Sequence, residues 1–222
     1  MAESVTPSPA AAARLTAKGF AAPTYLRLTG ENAARVFSNA ISAAKDSNKS
    51  GAAVYVYPVE DYAKMKLFLT DNGKGGVAVK PDGDIVSVFN TPGSGNKGMV
   101  ASALQLAVQH GGNKLDCFDT VLPHLYGAAG FKAIARTKWN DEYAPPDWPA
   151  DQFKSFNGGK PDVVFMAYDP RHQKAYAPGD GVAVDDYDDA VSRQAAAVSR
   201  KKQEPRFNAI GASLGVRHRR YV

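Results

Sequence analysis

Gly93, Gly95 and Gly98 spell G-x-G-x-x-G inside the stretch VFNTPGSGNKGMVASALQLAVQHGGNKLDCFD, residues 88–119, just ahead of an apolar helical run. A helix start offers unpaired backbone amides and the positive end of the helix dipole, so an anion is favoured there. Gly95 and Gly98 let a ligand approach the backbone closely, and Lys97 adds a mobile cation. A pyrophosphate fits these features. A dinucleotide fingerprint would follow the first parallel strand of a βαβ unit. Here the glycines come late, behind a hairpin and behind Asn90-Thr91-Pro92. Asp116 mimics the ribose-binding acid in spacing, but it stands inside a strand between Leu115 and Cys117, where side chains alternate faces. No Lys-Ser or Lys-Thr closes the loop, so the Walker pattern is absent. The plain alternative is a glycine-rich surface turn that binds nothing.

Other chemically capable residues are weaker signals. Cys117 lies in a short apolar strand with no adjacent histidine, the setting of an inert buried thiol. The four histidines, at 110, 124, 172 and 218, show no metal spacing, so no metal is expected. The segment from Trp139 to Asp162 is long for a strand connection and is expected to carry substrate specificity. In it Asp141, Glu142 and Asp147 would attract an amine, Trp148 would wall the site, and Glu142 is a candidate general base. The same loop also reads as a solvated connection pinned by Trp148 and Phe153.

The elements that position these residues follow from periodicity. Residues 1–22 read as a flexible Ala/Pro/Ser leader. Tyr25–Leu28 suits a strand, and Ala34, Phe37, Ile41 and Ala44 mark a helix. Residues 52–58 read as a strand. Val59, Tyr62, Met65, Phe68 and Leu69 read as the stripe of a second amphipathic helix capped by Gly73. Two strands flank the Pro81-Asp82-Gly83-Asp84 turn, whose glycine supplies positive φ. Gly98–His110 reads as a helix, 114–119 as a strand, 120–130 as a short helix, 131–140 as a strand and Pro161–Asp169 as the last strand. Hairpins mixed with crossovers give an α/β (α+β) fold, with a mixed, mostly antiparallel central sheet flanked by helices.

This order of hairpin, glycine turn with helix, strand, L-Y-x-x-x-G-F helix and strand resembles the GNAT (Gcn5-related N-acetyltransferase) superfamily. The motif is Leu125-Tyr126 followed by Gly130-Phe131, and the resemblance covers about Tyr25 to Asp169. It implies a GNAT-like acyl-CoA N-acyltransferase domain over 23–170, between the leader and an extended 171–222 tail. It implies acetyl-CoA, or another acyl-CoA, as cofactor and an amine as acceptor. In the family the strand before the glycine turn splays from the next one and the pantetheine lies in the gap. That gives Val88 and Phe89 the role of offering backbone groups. The pyrophosphate would rest on Asn96, Lys97, Gly98, Met99, Val100 and Ala101, the segment matching Gln/Arg-x-x-Gly-x-Gly/Ala. Asn stands at its first position here and Met at its first glycine. Asp119 takes the place where the family often has Asn. Tyr126 matches the tyrosine that protonates the departing thiolate, a role open to a phenol that stays protonated at neutral pH.

Bulk properties bound these readings. The chain has 222 residues with 44% apolar and 22% charged content, an ordinary globular mix. A single cysteine excludes an internal disulfide and suits a reducing, cytoplasmic setting. No apolar run of about 18 residues is present, so no membrane partner is expected. Residues 193–222 hold eight basic residues and one acid, so the net charge of +5 is carried by the tail. The second functional reading follows from that tail. It is a catalytically inactive GNAT-like binding or structural protein, associated with a phage or another mobile element and with the virion, that contacts nucleic acid or an assembly.

Overall fold

The computed structural model describes residues 2–20, 23–48, 51, 54–145, 148–172 and 174–203. Its nine strands are β1 (Ala2–Val5), β2 (Tyr25–Leu28), β3 (Lys66–Thr70), β4 (Gly75–Val79), β5 (Ile85–Asn90), β6 (Lys114–Phe118), β7 (Phe131–Thr137), β8 (Val163–Tyr168) and β9 (Val182–Val184). The helices are α1 (Pro9–Ala17), α2 (Ala33–Ser47), α3 (Val59–Tyr62), α4 (Met99–Gln109), α5 (Leu122–Ala128) and α6 (Tyr187–Gln203). The strands form two sheets in the orders β1-β2-β3-β4-β5 and β6-β8-β7-β9. Every pairing within them is antiparallel except β7 with β9. The fold is therefore mixed α/β, with antiparallel sheets flanked by helices.

Among the described residues the two sheets meet at one parallel bridge, Asp84 with Lys114. One apolar cluster spans both on the face covered by α4 and α5. It joins Phe68, Val77, Ile85, Leu104, Leu115, Phe131, Val164 and Met166. On the opposite face the core is divided. Phe37, Ile41, Tyr62 and Leu67 pack under α2 and α3, while Ala135, Phe165 and Ala190 pack under α6. No buried cluster among the described residues joins those two halves on this face.

Several elements differ from the sequence reading. The expected helix over 59–73 is one turn, α3, followed by strand β3. Residues 67–70 of β3 are buried on both faces, with Phe68 toward α4 and Leu67 and Leu69 toward α2. An unbroken apolar run of this kind fits helix and strand periods equally well. Residues 54–58, expected as strand, are irregular, and Tyr55 and Tyr57 instead stack edge to face at 4.6 Å. The first 20 residues do not behave as a loose leader. β1 pairs with β2, Ser8 caps α1, and Ala11 and Leu15 are buried. The region after 170 is likewise not an extended tail, since β9 extends the second sheet and α6 packs on it. The basic residues after 203 lie outside the described residues.

Gln194 fixes α6 in place. Its side-chain amide, 4% exposed, donates to the carbonyls of Leu115 at 2.7 Å and Met166 at 2.8 Å. Removing that donor leaves two buried carbonyls without it, at a cost of about 1–3 kcal/mol. Gln194→Ala is expected to lower unfolding stability by that amount in a urea titration, with the m-value unchanged.

Candidate functional site

The glycine turn is built by a side-chain network more than by its glycines. Asn96 is buried and pairs its amide with that of Asn72, at 3.2 and 3.3 Å, and Asn72 also receives the Thr70 hydroxyl at 2.7 Å. Asn90 donates to the Asn96 carbonyl and accepts from the Ser94 hydroxyl, which in turn receives the Asn96 amide. The β3–β4 turn is thus sewn to the turn that starts α4. Gly93, Gly95 and Gly98 all have left-handed φ, between 72° and 81°. At Gly93 and Gly95 nothing lies within 4 Å of where a Cβ would be, so the backbone angle alone calls for glycine. At Gly98 a Cβ would overlap the ring of Phe20.

The helix start is less open than its sequence implies. The Met99 amide donates to Asn96 and that of Ala101 to Gly98. The amides of Gly95, Gly98 and Val100 have no acceptor among the described residues. Lys97 is exposed beside them. Met99 is buried, and its carbonyl receives the Ser102 hydroxyl at 2.8 Å. Val100 and Ala101 are half-buried. The Asn96 side chain, spent in its network, is not presented outward.

Strand β5 carries the second feature. Gly76 pairs with Phe89 and Ala78 with Val86, so one extra residue is accommodated on β5. Ser87 takes it up with φ of 53° and bonds the Tyr62 hydroxyl at 2.9 Å. This bulge resets the alternation of side chains. Val88 then faces the cluster under α4 and α5, and Phe89 the cluster under α2. Past the Asp84–Lys114 bridge no strand among the described residues pairs with the outer edge of β5. The backbone of the bulge therefore borders the space between β5 and β6.

Tyr126 projects from α5 into the same cluster as Val88, Met99 and Cys117. Burial, then the neighbouring Cys117 and Asp116, raise its phenol far above the ordinary range, so it holds its proton. Its hydroxyl has no hydrogen bond among the described residues. Burial likewise pushes the Cys117 thiol up, which removes it as a thiolate nucleophile.

Two expected site residues lie elsewhere. Asp119 accepts from the Tyr176 hydroxyl at 2.8 Å and faces a cleft on the far side of β6. Glu142 is exposed on a 3-10 turn, Asp141–Tyr143, and stands outside the Tyr126 cluster. The neighbouring Asp141 is tied to Trp139 and Lys160. Trp148 stacks on Phe153 at 4.5 Å and donates to the Gly159 carbonyl, which anchors the long loop. Asp147 lies outside the described residues.

Sequence reasoning missed the role of Asp116. It sits on β6, opposite in face to Leu115 and Cys117. Lys80 is paired with Asp84 at 3.0 Å and Lys114 with Asp82 at 2.6 Å. Asp116 is the carboxylate left over, with no ion pair among the described residues. Its side chain keeps solvent contact, yet its carboxyl is hemmed by protein. That burial, and next the Asp84 carboxylate, push it up to about 6. Tyr57 and Tyr187 are close enough to feel the same charges. The legible signal was one acid alternating with apolar residues in an otherwise buried strand.

No family model, no curated protein and no solved structure matches the chain. Among the described residues no cluster of His, Cys, Asp and Glu could hold a metal ion, and no helix is long and apolar enough to cross a membrane.

The raised carboxyl of Asp116 has a signed consequence. The folded state holds this proton more tightly than the unfolded chain, so ionising it as pH rises toward and through about 6 destabilises the protein. Asp116→Asn, which cannot ionise, is expected to raise the melting temperature at pH 7. The gain should vanish below about pH 4, where the unfolded-state carboxyl is also protonated. Melting curves of both proteins across pH 3.5–8 check this, and an equal gain at both ends of that range would refute it.

Proposed function

We propose that the chain is an acyl-CoA-dependent N-acyltransferase of GNAT type, which transfers an acetyl group to an amine. The observation that carries this reading is the divergence of β5 from β6. Among the described residues the strands run parallel, pair at Asp84–Lys114 and at no other bridge, and leave the bulged edge of β5 unpaired where the glycine turn and α4 follow it. That supports the splay expected of the resemblance.

The glycine turn supplies the fit to a pyrophosphate. The amides of Gly95, Gly98 and Val100, with Lys97, are the groups that would hold it. Acetyl-CoA would bring the acyl group as a thioester. The resemblance assigns the backbone groups of Val88 and Phe89, on the strand that borders this gap, to the acyl-CoA. Asp116, ionised above about pH 6, takes the proton that the attacking amine loses as its C–N bond forms. Tyr126 gives a proton to the sulfur as the C–S bond breaks, and its burial keeps that proton in place until then.

A second reading has its own support. Phe20 lies across Gly98, the Asn96 side chain is spent in the turn network, and Tyr126 is nine-tenths buried. Each suits a protein that kept the architecture and binds a partner without catalysis, through its basic tail to nucleic acid or to an assembly.

Calorimetric titration with acetyl-CoA, with NADH as control, separates the two. The enzyme reading expects micromolar acetyl-CoA binding, no NADH binding, and a loss of about tenfold in affinity for Lys97→Glu, an exposed site where folding is not at stake. Phe20→Ala is expected to tighten binding. With an acceptor in hand, Tyr126→Phe should lower kcat by about 100-fold. Absence of acetyl-CoA binding in both wild type and Phe20→Ala would leave the non-catalytic reading in place.

A further inference from the structure

Beyond β6, at the ends of β6 and β7, a cleft of about 760 Å³ opens between the start of α5, the 138–162 loop and the 178–179 turn. Val88, Met99 and Tyr126 do not line it, so it is separate from the site above. Its charged groups sort cleanly into spent and unspent. Asp162 is paired with Arg136 at 3.2 Å and Asp141 with Lys160 at 2.8 Å. Asp119 receives the Tyr176 hydroxyl. Every carboxylate of the cleft thus already has a donor.

What remains unused is donor capacity. The Nε–H of Arg136 is buried and has no hydrogen-bond partner, although Nη1 of the same guanidinium is held by Asp162. Nε is closed off, but the side chain is 30% exposed and lines the cleft, so the outer edge of the guanidinium can take an acceptor from the cleft. Lys138, two residues further on and just past the end of β7, lines the same cleft and has no ion pair among the described residues. Trp139 and Phe156 add aromatic surface to the wall.

We propose that this cleft binds a small oxyanion, a phosphate or carboxylate carried on a planar ring, with the anion on the exposed edge of the Arg136 guanidinium and Lys138 Nζ and the ring against Trp139 and Phe156. A guanidinium already fixed by a carboxylate is preorganised for such a contact, so little side-chain freedom is lost on binding. The ordered Asp162 holds the fork in place, and the Lys138 side chain closes on the anion from solvent.

The chain has two tryptophans, Trp139 and Trp148, which contact each other at 4.9 Å, so intrinsic fluorescence reports on this wall. Phenyl phosphate, benzoate and benzyl alcohol are the probes. One or both anions are expected to bind at least about tenfold more tightly than the alcohol, and more weakly as salt is raised. The stronger anion tells whether the natural group is a phosphate or a carboxylate. Lys138→Gln, at an exposed side chain, should weaken anion binding by about tenfold while leaving the alcohol unaffected. Arg136→Gln should do the same where it folds. Equal affinity for alcohol and anions, no binding of either anion, or anion binding unchanged by Lys138→Gln overturns the proposal. None of these probes carries a thioester or a nucleotide, so the outcome is independent of acetyl-CoA binding.

Discussion

Asp84 and Lys114 are the point where two sheets touch, and the rest of the chain reinforces that narrow joint. Next to it the Asn113 amide donates to the Gly83 carbonyl at 2.8 Å, and Lys114 and Lys80 each clasp an acid of the β4–β5 turn. Gly112 is required there because a Cβ would drive into Ile85 and the Ala107 carbonyl, the close contact that lets α4 hand the chain to β6. One bridge cannot hold two sheets by hydrogen bonding. The continuous apolar cluster beneath α4 and α5 does so instead, since burial is non-directional and scales with area. Because that cluster covers one face alone, the sheets can diverge on the other.

The divergence is also written into β5. A bulge bends its strand and increases local twist, and Ser87 sits in a backbone region that costs a non-glycine residue about 1–3 kcal/mol. Its hydroxyl contact to the buried Tyr62 helps to hold it there. The same geometry leaves an uneven charge set beside the joint. Three acids, Asp82, Asp84 and Asp116, face two lysines, Lys80 and Lys114. The two lysines are satisfied by the turn, so the joint between the sheets is what leaves Asp116 without a counter-ion and raises its carboxyl.

Local signals were readable in the sequence where one short-range rule dominates. The Asp82-Gly83 turn set the β4–β5 hairpin, and α4, β6, α5, β7 and β8 fall where their apolar spacing puts them. The failures share a cause: tertiary burial overrides period. β3 is buried on both faces, so Leu67, Phe68 and Leu69 carry no alternation to distinguish strand from helix. The N-terminal Ala/Pro/Ser segment gains its order from partners remote in sequence, including the backbone of Ser8 on the side chain of Gln109. Gln194 is a polar residue on a polar-looking helix until the carbonyls of Leu115 and Met166 are seen above it. For the candidate site, the glycines mark the turn that starts α4. The network that shapes that turn, and the isolation of Asp116, depend on contacts between strands that no spacing rule encodes.

The start of α4 presents a competition that magnitudes can weigh. Phe20 covers Gly98 but is only half-buried, so its contact contributes less than the roughly 1.5–3 kcal/mol of a fully buried aromatic side chain. A phosphate received by two or three open amides gains charge-assisted hydrogen bonds of about 1.5–3 kcal/mol each, with a further contribution from the helix dipole. The anion therefore wins if it can reach at least two of the amides of Gly95, Gly98 and Val100 together. Gly95 has open space around it and Gly98 does not. Access to the second amide, and so the strength of any anion site here, is set by where the Phe20 ring lies and not by the glycine motif itself.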